Sequence, residues 1–598
     1  MRIVLLYPPP WKIPARGESP DPEDGPPPGF REGDLDPDFW QTPYGLFTLG
    51  AQARRAGHQV KVLNLSAFTW DKTREVVASL DAQLWGMSCW TANRRGVALV
   101  ADEIKRHHPS AHVVVGGPHA TPLASEMLTH HAAIDTVTLG ESEEQLLELV
   151  DRLERGQAPT HIRGTVYREG SAVAVAPPRA SIDDLDTLAH VHENFATHIV
   201  MTSRGCPWQC TFCGAETTWG RGFRAHSIEY VLDQLEFALA HLPVKMLQIK
   251  DDTFTTNKKR VVELCRAMRA RGLRFAWSCD TRVDVLTPEL LREMRLAGCQ
   301  RLSLGVESGS PSILKNIDKK ITVDKIVRGT EMAREVGIQV RYYMMLGNRG
   351  ETRDTFHETL EFLARARPHQ YIFSCLSIYP GTRDFHDAEA AGWLDREVFF
   401  TEPFQELKVP FDASLEDTAL MNDWFQQNTG VRNLYRPSVA DCEAILERLG
   451  EHPPAHLDLA IARLEAEDLD GAEASARRAL DLGHPLPGLV HNTLACIAFA
   501  RGSVELTQQE LLTAARIDPQ HPTLIRNVQT LKTWLASGGP GSGTPPRLVA
   551  EQGFQLLEKT LQPALPGPLP DDYTDWPPVP PRHEETARGG PRRLDVID

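Results

Sequence analysis

The chain is short of positive charge: 64 Lys and Arg stand against 80 Asp and Glu in 598 residues, a formal charge of −16. A protein that grips a nucleic-acid backbone shows the opposite balance, so no nucleic-acid partner is expected. It also lacks any uninterrupted apolar run of the ~18 residues needed to cross a bilayer. The first apolar stretch ends at Pro8-Pro9-Pro10, too early for a secretory signal. No membrane association and a cytoplasmic location are the expectations. Cysteine is scarce as well, ten in the whole chain, which excludes a disulfide scaffold and leaves thiols free for metal or catalysis in a reducing compartment. Hydrophobic residues at 41% and charged residues at 24% are the proportions of a globular protein. At roughly 150 residues per domain, the length implies several structural units.

The pattern predicts an α/β protein with a helical end. Over residues 1–180, β-branched runs at 2–7, 59–63, 84–88, 113–115 and 136–139 alternate with helical periodicity at 45–56, 94–108 and 141–153. That alternation predicts a Rossmann-like parallel sheet wrapped by helices, with a hairpin over 164–176. A Pro-rich insert between Tyr7 and Tyr44 is too long for an ordinary connection and is read as a loop over the sheet's carboxyl edge. Residues 196–400 carry six strand candidates, at 199–202, 246–250, 275–279, 301–304, 339–345 and 371–377. Most are followed by helix, which suits an open, partial (β/α)6 barrel whose chemistry sits at the strand carboxyl ends. A helical appendage is expected over 401–450 and tetratricopeptide-like helical repeats, offset by about 35 residues, over 453–535. These repeats either pack on the chain itself or engage a protein partner. Residues 536–598 are read as a Gly/Pro linker and a Pro-rich, disordered tail.

The spacing that matters is Arg204-Gly205-Cys206-Pro207-Trp208-Gln209-Cys210-Thr211-Phe212-Cys213, directly after the first barrel strand. Three thiols with three and two residues between them, on a loop of small and cyclic residues, can meet at one metal centre. A zinc knuckle needs a fourth soft ligand nearby, and none follows at a regular spacing. Thiolates also hold iron–sulfur clusters, and three leave one iron of a cubane open. The other cysteines, Cys89, Cys265, Cys279, Cys299, Cys375, Cys442 and Cys496, show no ligand spacing and read as small buried hydrophobes.

This loop resembles that of the radical SAM superfamily, in which it holds a 4Fe-4S cluster and S-adenosylmethionine completes the coordination. The resemblance covers about residues 196–400. Further matching turns are Lys250-Asp251-Asp252-Thr253-Phe254, Gly305-Val306-Glu307-Ser308-Gly309, Gly347-Asn348-Arg349-Gly350-Glu351-Thr352 and Tyr379-Pro380-Gly381-Thr382. It implies Cys206, Cys210 and Cys213 as cluster ligands and Phe212 beside the S-adenosylmethionine site. A zwitterionic ligand needs anions for its ammonium, from Asp251, Asp252 and Glu307, and donors for its carboxylate, from Arg282. Each acid also has a plain reading as a helix cap.

The first unit resembles the cobalamin-binding domain that precedes such barrels in one branch of the superfamily. The matching residues are Pro43-Tyr44-Gly45-Leu46, Gly116-Gly117-Pro118-His119-Ala120-Thr121 and Gly140-Glu141-Ser142-Glu143. Glycines at these turns let backbone approach a bulky ligand. The alternative is an unoccupied flavodoxin-like domain. The Asp-x-His-x-x-Gly signature of histidine-ligated cobalamin folds is absent; Asp384-Phe385-His386 has Glu389 where Gly is needed. The loop Cys89-Trp90-Thr91-Ala92-Asn93 is then the candidate for the lower face of the corrin, where Trp90 either blocks that face or is a core aromatic. His119 is expected at the corrin's periphery rather than on cobalt.

The resemblance implies a cobalamin-dependent radical S-adenosylmethionine C-methyltransferase. In such an enzyme the reduced cluster cleaves S-adenosylmethionine, the 5′-deoxyadenosyl radical takes hydrogen from an unactivated carbon, and methylcobalamin supplies the methyl group. Radical cyclisation, rearrangement or oxidation with the same cofactors is the alternative, and a cofactor-binding sensor or scaffold is a third reading. The expected partners are a small-molecule or carrier-bound substrate and an external electron donor of flavodoxin or ferredoxin type. Tyr342, Tyr343, Met345 and Ser374 either line a pocket or form packing layers of the barrel.

Overall fold

The computed structural model describes residues 1–9, 43–66, 68, 70–242, 245–401, 415–428, 432–519, 521–541, 545–551 and 575–576. The Pro-rich insert and almost all of the expected tail lie outside the described residues.

The first sheet is built on β1 (Arg2–Tyr7), β2 (Gln59–Asn64), β3 (Leu84–Ser88), β4 (His112–Gly116) and β5 (Thr136–Thr138), all parallel, in the order β2-β1-β3-β4-β5. The antiparallel hairpin β6 (Thr165–Glu169) and β7 (Ala172–Val175) extends it. β1 is buried from Ile3 to Tyr7, as a strand covered by helices on both faces must be. The strand order reverses between β1 and β3, and a doubly wound sheet binds its ligand outside the carboxyl ends at such a point. Two helices escaped the sequence pattern, Trp70–Ser79 and Ala124–His130.

The second sheet starts with β8 (Ile199–Val200). A short antiparallel ribbon of β9 (Ser203–Arg204) and β10 (Arg224–Ala225) follows. The sheet continues through β11 (Met246–Ile249), β12 (Ala276–Thr281), β13 (Cys299–Glu307), β14 (Gln339–Leu346) and β15 (Gln370–Cys375), parallel and adjacent in chain order. The two-residue β16 (Arg432–Asn433) pairs antiparallel with β15, so the described sheet is open, as a six-unit partial barrel requires. Leu247, Trp277, Leu302, Val340 and Tyr342 face the helices in one apolar core. Strand alternation turns their neighbours inward, where Lys250 meets Asp280 at 3.1 Å and Arg341 meets Gln370 at 3.1 Å. Tyr342 is therefore a packing residue, its ring stacked on Phe362 and its hydroxyl on Thr330; Tyr343, next in sequence, takes the inward side. Among the described residues no helix is long and apolar enough to cross a membrane.

Among the described residues six α-helices follow β16: Val439–Leu449, Pro453–Glu465, Leu469–Asp481, Pro487–Ala500, Val504–Ile517 and Pro522–Ala536. Leu457, Ala460, Ala472, Ala476 and Val490 share a core with Met246 and Ala276, the first residues of β11 and β12. The buried Arg295 donates to Asp458 at 2.7 Å, and His452 reaches the Arg295 carbonyl at 3.1 Å. The helical region thus packs on the amino end of the barrel, opposite the cysteine loop.

Candidate functional site

The cysteine loop leaves β9 through Gly205, whose φ of +84° and a Cβ position 2.6 Å from the Gly222 carbonyl demand glycine. Its other end is held by Thr211, whose N–H donates to the Ile317 carbonyl at 3.1 Å and whose hydroxyl donates to Asp384 at 3.1 Å. Cys206 and Cys210 are half-buried and Cys213 lies at the surface; none is in a disulfide. The Cys206 sulfur lies 3.6 Å from the Thr253 hydroxyl, and Arg282 Nη1 points at the Cys210 sulfur from 3.7 Å. Among the described residues no three His, Cys, Asp or Glu side chains gather as a single ion would need. The donor set is three reduced thiols beside two buried cations, Arg282 and Lys319. That set suits an anionic polynuclear iron–sulfur cluster, held by thiolates set apart from one another. Burial raises the thiol pKa of the half-buried Cys210, opposed by Lys319 and Arg282. That thiol therefore stays protonated until a metal displaces the proton.

The acids at the strand ends divide into different jobs. Asp251 accepts three hydrogen bonds of 2.6 Å, from the Thr202 N–H, the Thr202 hydroxyl and the Ser203 hydroxyl. Its carboxylate is saturated by the strand that leads into the loop, the structural role sequence left open. Asp252 accepts the Gly205 N–H at 3.0 Å, and burial pushes its pKa up to about 6 against that bond. Glu307 ends β13 with φ +69°, a left-handed conformation that costs a non-glycine residue about 1 kcal/mol or more. It pairs with Lys319 Nζ at 2.9 Å, and Gly305 leaves room for that pair, since a Cβ there would lie 2.6 Å from Glu307 Oε1. Lys319 was invisible to motif reading. Its ammonium sits 5.6 Å over the Phe212 ring, and its carbonyl accepts from Arg282 at 2.6 Å. Arg282 is otherwise held by Asp284 at 3.0 Å and stacked 4.6 Å from the Trp208 ring.

At the first sheet the candidate residues separate into an outward and an inward set. Trp90, after β3, is 43% exposed, its indole N–H on the Ser88 hydroxyl at 3.2 Å; it is not a core aromatic. Gly45 is exposed too, and a Cβ there would meet nothing within 4 Å. Tyr44, by contrast, is buried against the Met201 backbone and Gln234, and burial raises its pKa above the usual phenol range. Gly117 has φ +107° and a Cβ position 2.7 Å from the Cys89 carbonyl; at Gly116 a Cβ would strike the Thr138 hydroxyl at 2.5 Å. These glycines let the β3 and β4 turns close on each other, with Cys89 N–H on the Gly116 carbonyl at 2.7 Å. This packing by itself requires glycine at both turns. His119 is buried, 3.1 Å from the Thr91 hydroxyl and edge-on to Phe399 at 5.5 Å. Burial, and then nearby Arg94, pull its pKa down to about 3. The Thr121 hydroxyl bridges the Gly117 carbonyl and the Gly140 N–H at 3.0 and 3.2 Å.

Glu141 turns out to bind the chain itself. Buried Arg204, immediately before the cysteine loop, donates to Glu141 at 2.7 Å and Glu143 at 2.5 Å, and Arg224 reaches Glu141 at 2.8 Å. The lowering of the Glu143 pKa is the balance of burial, which opposes it, and Arg204, which outweighs burial. Gly381 adds a second seam: a Cβ there would press on Thr217 and Pro122 at 2.8 and 2.9 Å. The carboxyl edges of the two sheets are therefore locked face to face around the loop.

Residues 200–363 match the family model of the radical SAM superfamily and residues 38–150 that of the B12 binding domain. An uncharacterized methyltransferase of Pyrococcus horikoshii, PH0819, is 30% identical over 354 residues, covering 57% of this chain and 77% of the relative. The anaerobic magnesium-protoporphyrin IX monomethyl ester cyclase of Rubrivivax gelatinosus is 26% identical over 54% of this chain and 62% of its own length. The fold is that of the radical S-adenosylmethionine methyltransferase TsrM from Kitasatospora setae, solved with cobalamin and a [4Fe-4S] cluster. That match has a TM-score of 0.52 at 17% identity and covers 65% of this chain and 75% of that one. The chain belongs to the radical SAM superfamily, in the branch that carries a B12-binding domain.

Proposed function

We propose that this chain is a cobalamin-dependent radical S-adenosylmethionine C-methyltransferase acting on an unactivated carbon of a metabolite or natural-product intermediate. One observation carries the reading: the three-thiol loop at the barrel's carboxyl edge is clamped, through Arg204, to the carboxyl edge of the B12-binding sheet. When bound, the cluster would supply an electron for cleaving S-adenosylmethionine, and cobalamin would supply the methyl group. Cys206, Cys210 and Cys213 would hold the cluster. Asp252 and Glu307 would face the ammonium of S-adenosylmethionine, and Phe212 would wall that site. Arg282, already engaged at Cys210, would stabilise the cluster's edge more directly than a ligand carboxylate. Trp90 and Gly45, the outward pair at the sheet's switch point, would face the corrin. Tyr44, Thr91, Gly116, Gly117, His119, Thr121, Gly140 and Glu141 would support that face from behind. Residues 1–180 and 196–400 would be the two catalytic units.

The proposed setting is the cytoplasm, with a one-electron donor of flavodoxin or ferredoxin type and a substrate that is free or carrier-bound. The cyclase among the relatives keeps radical cyclisation as the second reading; its product would lack the added mass of one methylene. The test is anaerobic reconstitution of the chain and of Cys206→Ala, with iron analysis and assay for 5′-deoxyadenosine under reductant. The parent should bind iron and form 5′-deoxyadenosine, while the variant forms none. An active Cys206→Ala variant would refute the cluster assignment.

A further inference from the structure

Residues 545–551, Pro-Pro-Arg-Leu-Val-Ala-Glu, form neither helix nor strand, yet they lie fixed along the last helices. Both main-chain groups of Val549 are read by side chains. Its carbonyl accepts from Asn492 Nδ2 at 2.9 Å and Asn527 Nδ2 at 2.8 Å, and its N–H donates to Asn527 Oδ1 at 3.0 Å. Asn527 Nδ2 also donates to Asn492 Oδ1 at 2.7 Å, and both asparagines are buried. They stand 35 residues apart, the repeat offset itself, so equivalent positions of two repeats face one peptide unit. On either side of this clamp are two anchors. Leu548 is buried with Ala495, Cys496, Leu511 and Leu531. Glu551 is buried and accepts from the Thr523 hydroxyl at 2.9 Å and Arg526 at 3.3 Å. Arg547 points to solvent with its side chain 82% exposed. Beside the segment the described residues leave a groove of about 1120 Å³, bounded by it, the first helices of the region and Tyr435–Pro437.

Buried amides that satisfy a single extended peptide unit recognise backbone whatever side chain it carries, and the anchors at 548 and 551 add selectivity. We propose that this surface is a peptide-binding slot for an extended segment of a partner protein with an apolar residue three places before an acid. Residues 545–551 occupy it in cis as a displaceable stand-in. The eight residues 537–544, Ser-Gly-Gly-Pro-Gly-Ser-Gly-Thr, form the tether. A covalently joined ligand acts at an effective concentration in the millimolar range, so a stand-in whose own affinity for the slot is ~10 μM weakens a competing partner about 10²-fold. The slot lies at the end of the barrel away from the thiols, so a docked partner leaves the cofactor edge clear.

The test uses the full chain carrying Leu548→Asp and Glu551→Lys, which removes both anchors of the stand-in, and a labelled peptide of sequence Pro-Pro-Arg-Leu-Val-Ala-Glu. The opened chain should bind the peptide about 10²-fold more tightly than the unmodified chain. Adding Asn527→Ala should cost at least tenfold, and a peptide with Lys for Glu should lose most of its affinity. An opened chain of unchanged thermal stability that takes up no peptide at millimolar concentration overturns the proposal. Hydrogen exchange on the unmodified chain needs no folded variant. The amides of 548–551 should open far more often than those of the helix Pro487–Ala500; exchange of both in one cooperative step would make the segment an integral strap and overturn the slot.

Discussion

At the barrel edge, residues named from the sequence stay beside the thiols: Arg282 touches the Cys210 sulfur, and Glu307 pairs with Lys319, which no motif announced, beneath Phe212. At the edge of the B12-binding sheet the corresponding turns face their own protein. Gly117 seats the Cys89 carbonyl, Glu141 meets Arg204, and His119 is buried against Phe399, leaving Trp90 and Gly45 outward. Small ligands that coordinate through named atoms need specific side chains. A bulky corrin needs a shaped surface, and that surface is set by turns that pack well on one another. The same glycine- and acid-rich signature can therefore mark a ligand contact on one edge and the frame of a contact on the other.

Breaking the frame should have the largest effect on stability. Arg204→Ala leaves Glu143 buried without a cation, and removing one member of a buried pair costs about 3–5 kcal/mol; thermal unfolding should show a sharp loss. Arg224→Ala should cost much less, because Glu141 keeps Arg204. An equal loss in both would mean that Arg204 is not the central clamp. Gly117→Ala comes next. A Cβ cannot sit 2.7 Å from the Cys89 carbonyl at φ +107°, and about 1–3 kcal/mol is expected from overpacking and strain combined. Unchanged denaturant midpoints would return Gly117 to a role in ligand approach.

Acid should load the buried histidines of the first sheet with protons that the folded chain disfavours. His119 titrates near 3 and His112 near 4 in the folded chain, below the ordinary 6.5. The unfolded chain takes up protons that the native chain refuses, so stability is full above 6.5 and falls as pH drops toward 4. Each such histidine contributes at most about 1.4 kcal/mol per pH unit. Melting temperature measured from pH 7 to 5 should fall, and His119→Gln should flatten part of that slope. The smallest structural effect is expected at Trp90. Trp90→Ala should change stability by less than about 0.5 kcal/mol, as exposed positions do, yet weaken cobalamin retention or shift its visible absorption. An unaltered spectrum and affinity would place the corrin elsewhere.

How much of this was legible follows from how local each feature is. The thiol loop is contained in eight consecutive residues, so spacing alone announced it. Lys319 belongs to no motif; it comes to lie over Phe212 because the Thr211 N–H donates to the Ile317 carbonyl and brings two loops together. Glu141 looked like a ligand residue because its true partner, Arg204, lies 63 positions later in another unit. Trp90 has the same one-dimensional signature buried or exposed. The parallel α/β character of both sheets followed from alternating periodicity, whereas the two-residue β16 and the short helix Ala124–His130 carry too little pattern to be read. Alanine-rich repeat helices look alike whether their apolar face meets a partner or, as here, Met246 and Ala276.

The most direct measurement is mass spectrometry of the anaerobic, cluster-reconstituted chain given reductant, S-adenosylmethionine and candidate substrates, with and without bound cobalamin. A C-methyltransferase with both edges in one site yields 5′-deoxyadenosine and S-adenosylhomocysteine together, the second only with cobalamin, and a product heavier by one methylene. 5′-Deoxyadenosine alone, whatever the cobalamin, would contradict methyl transfer.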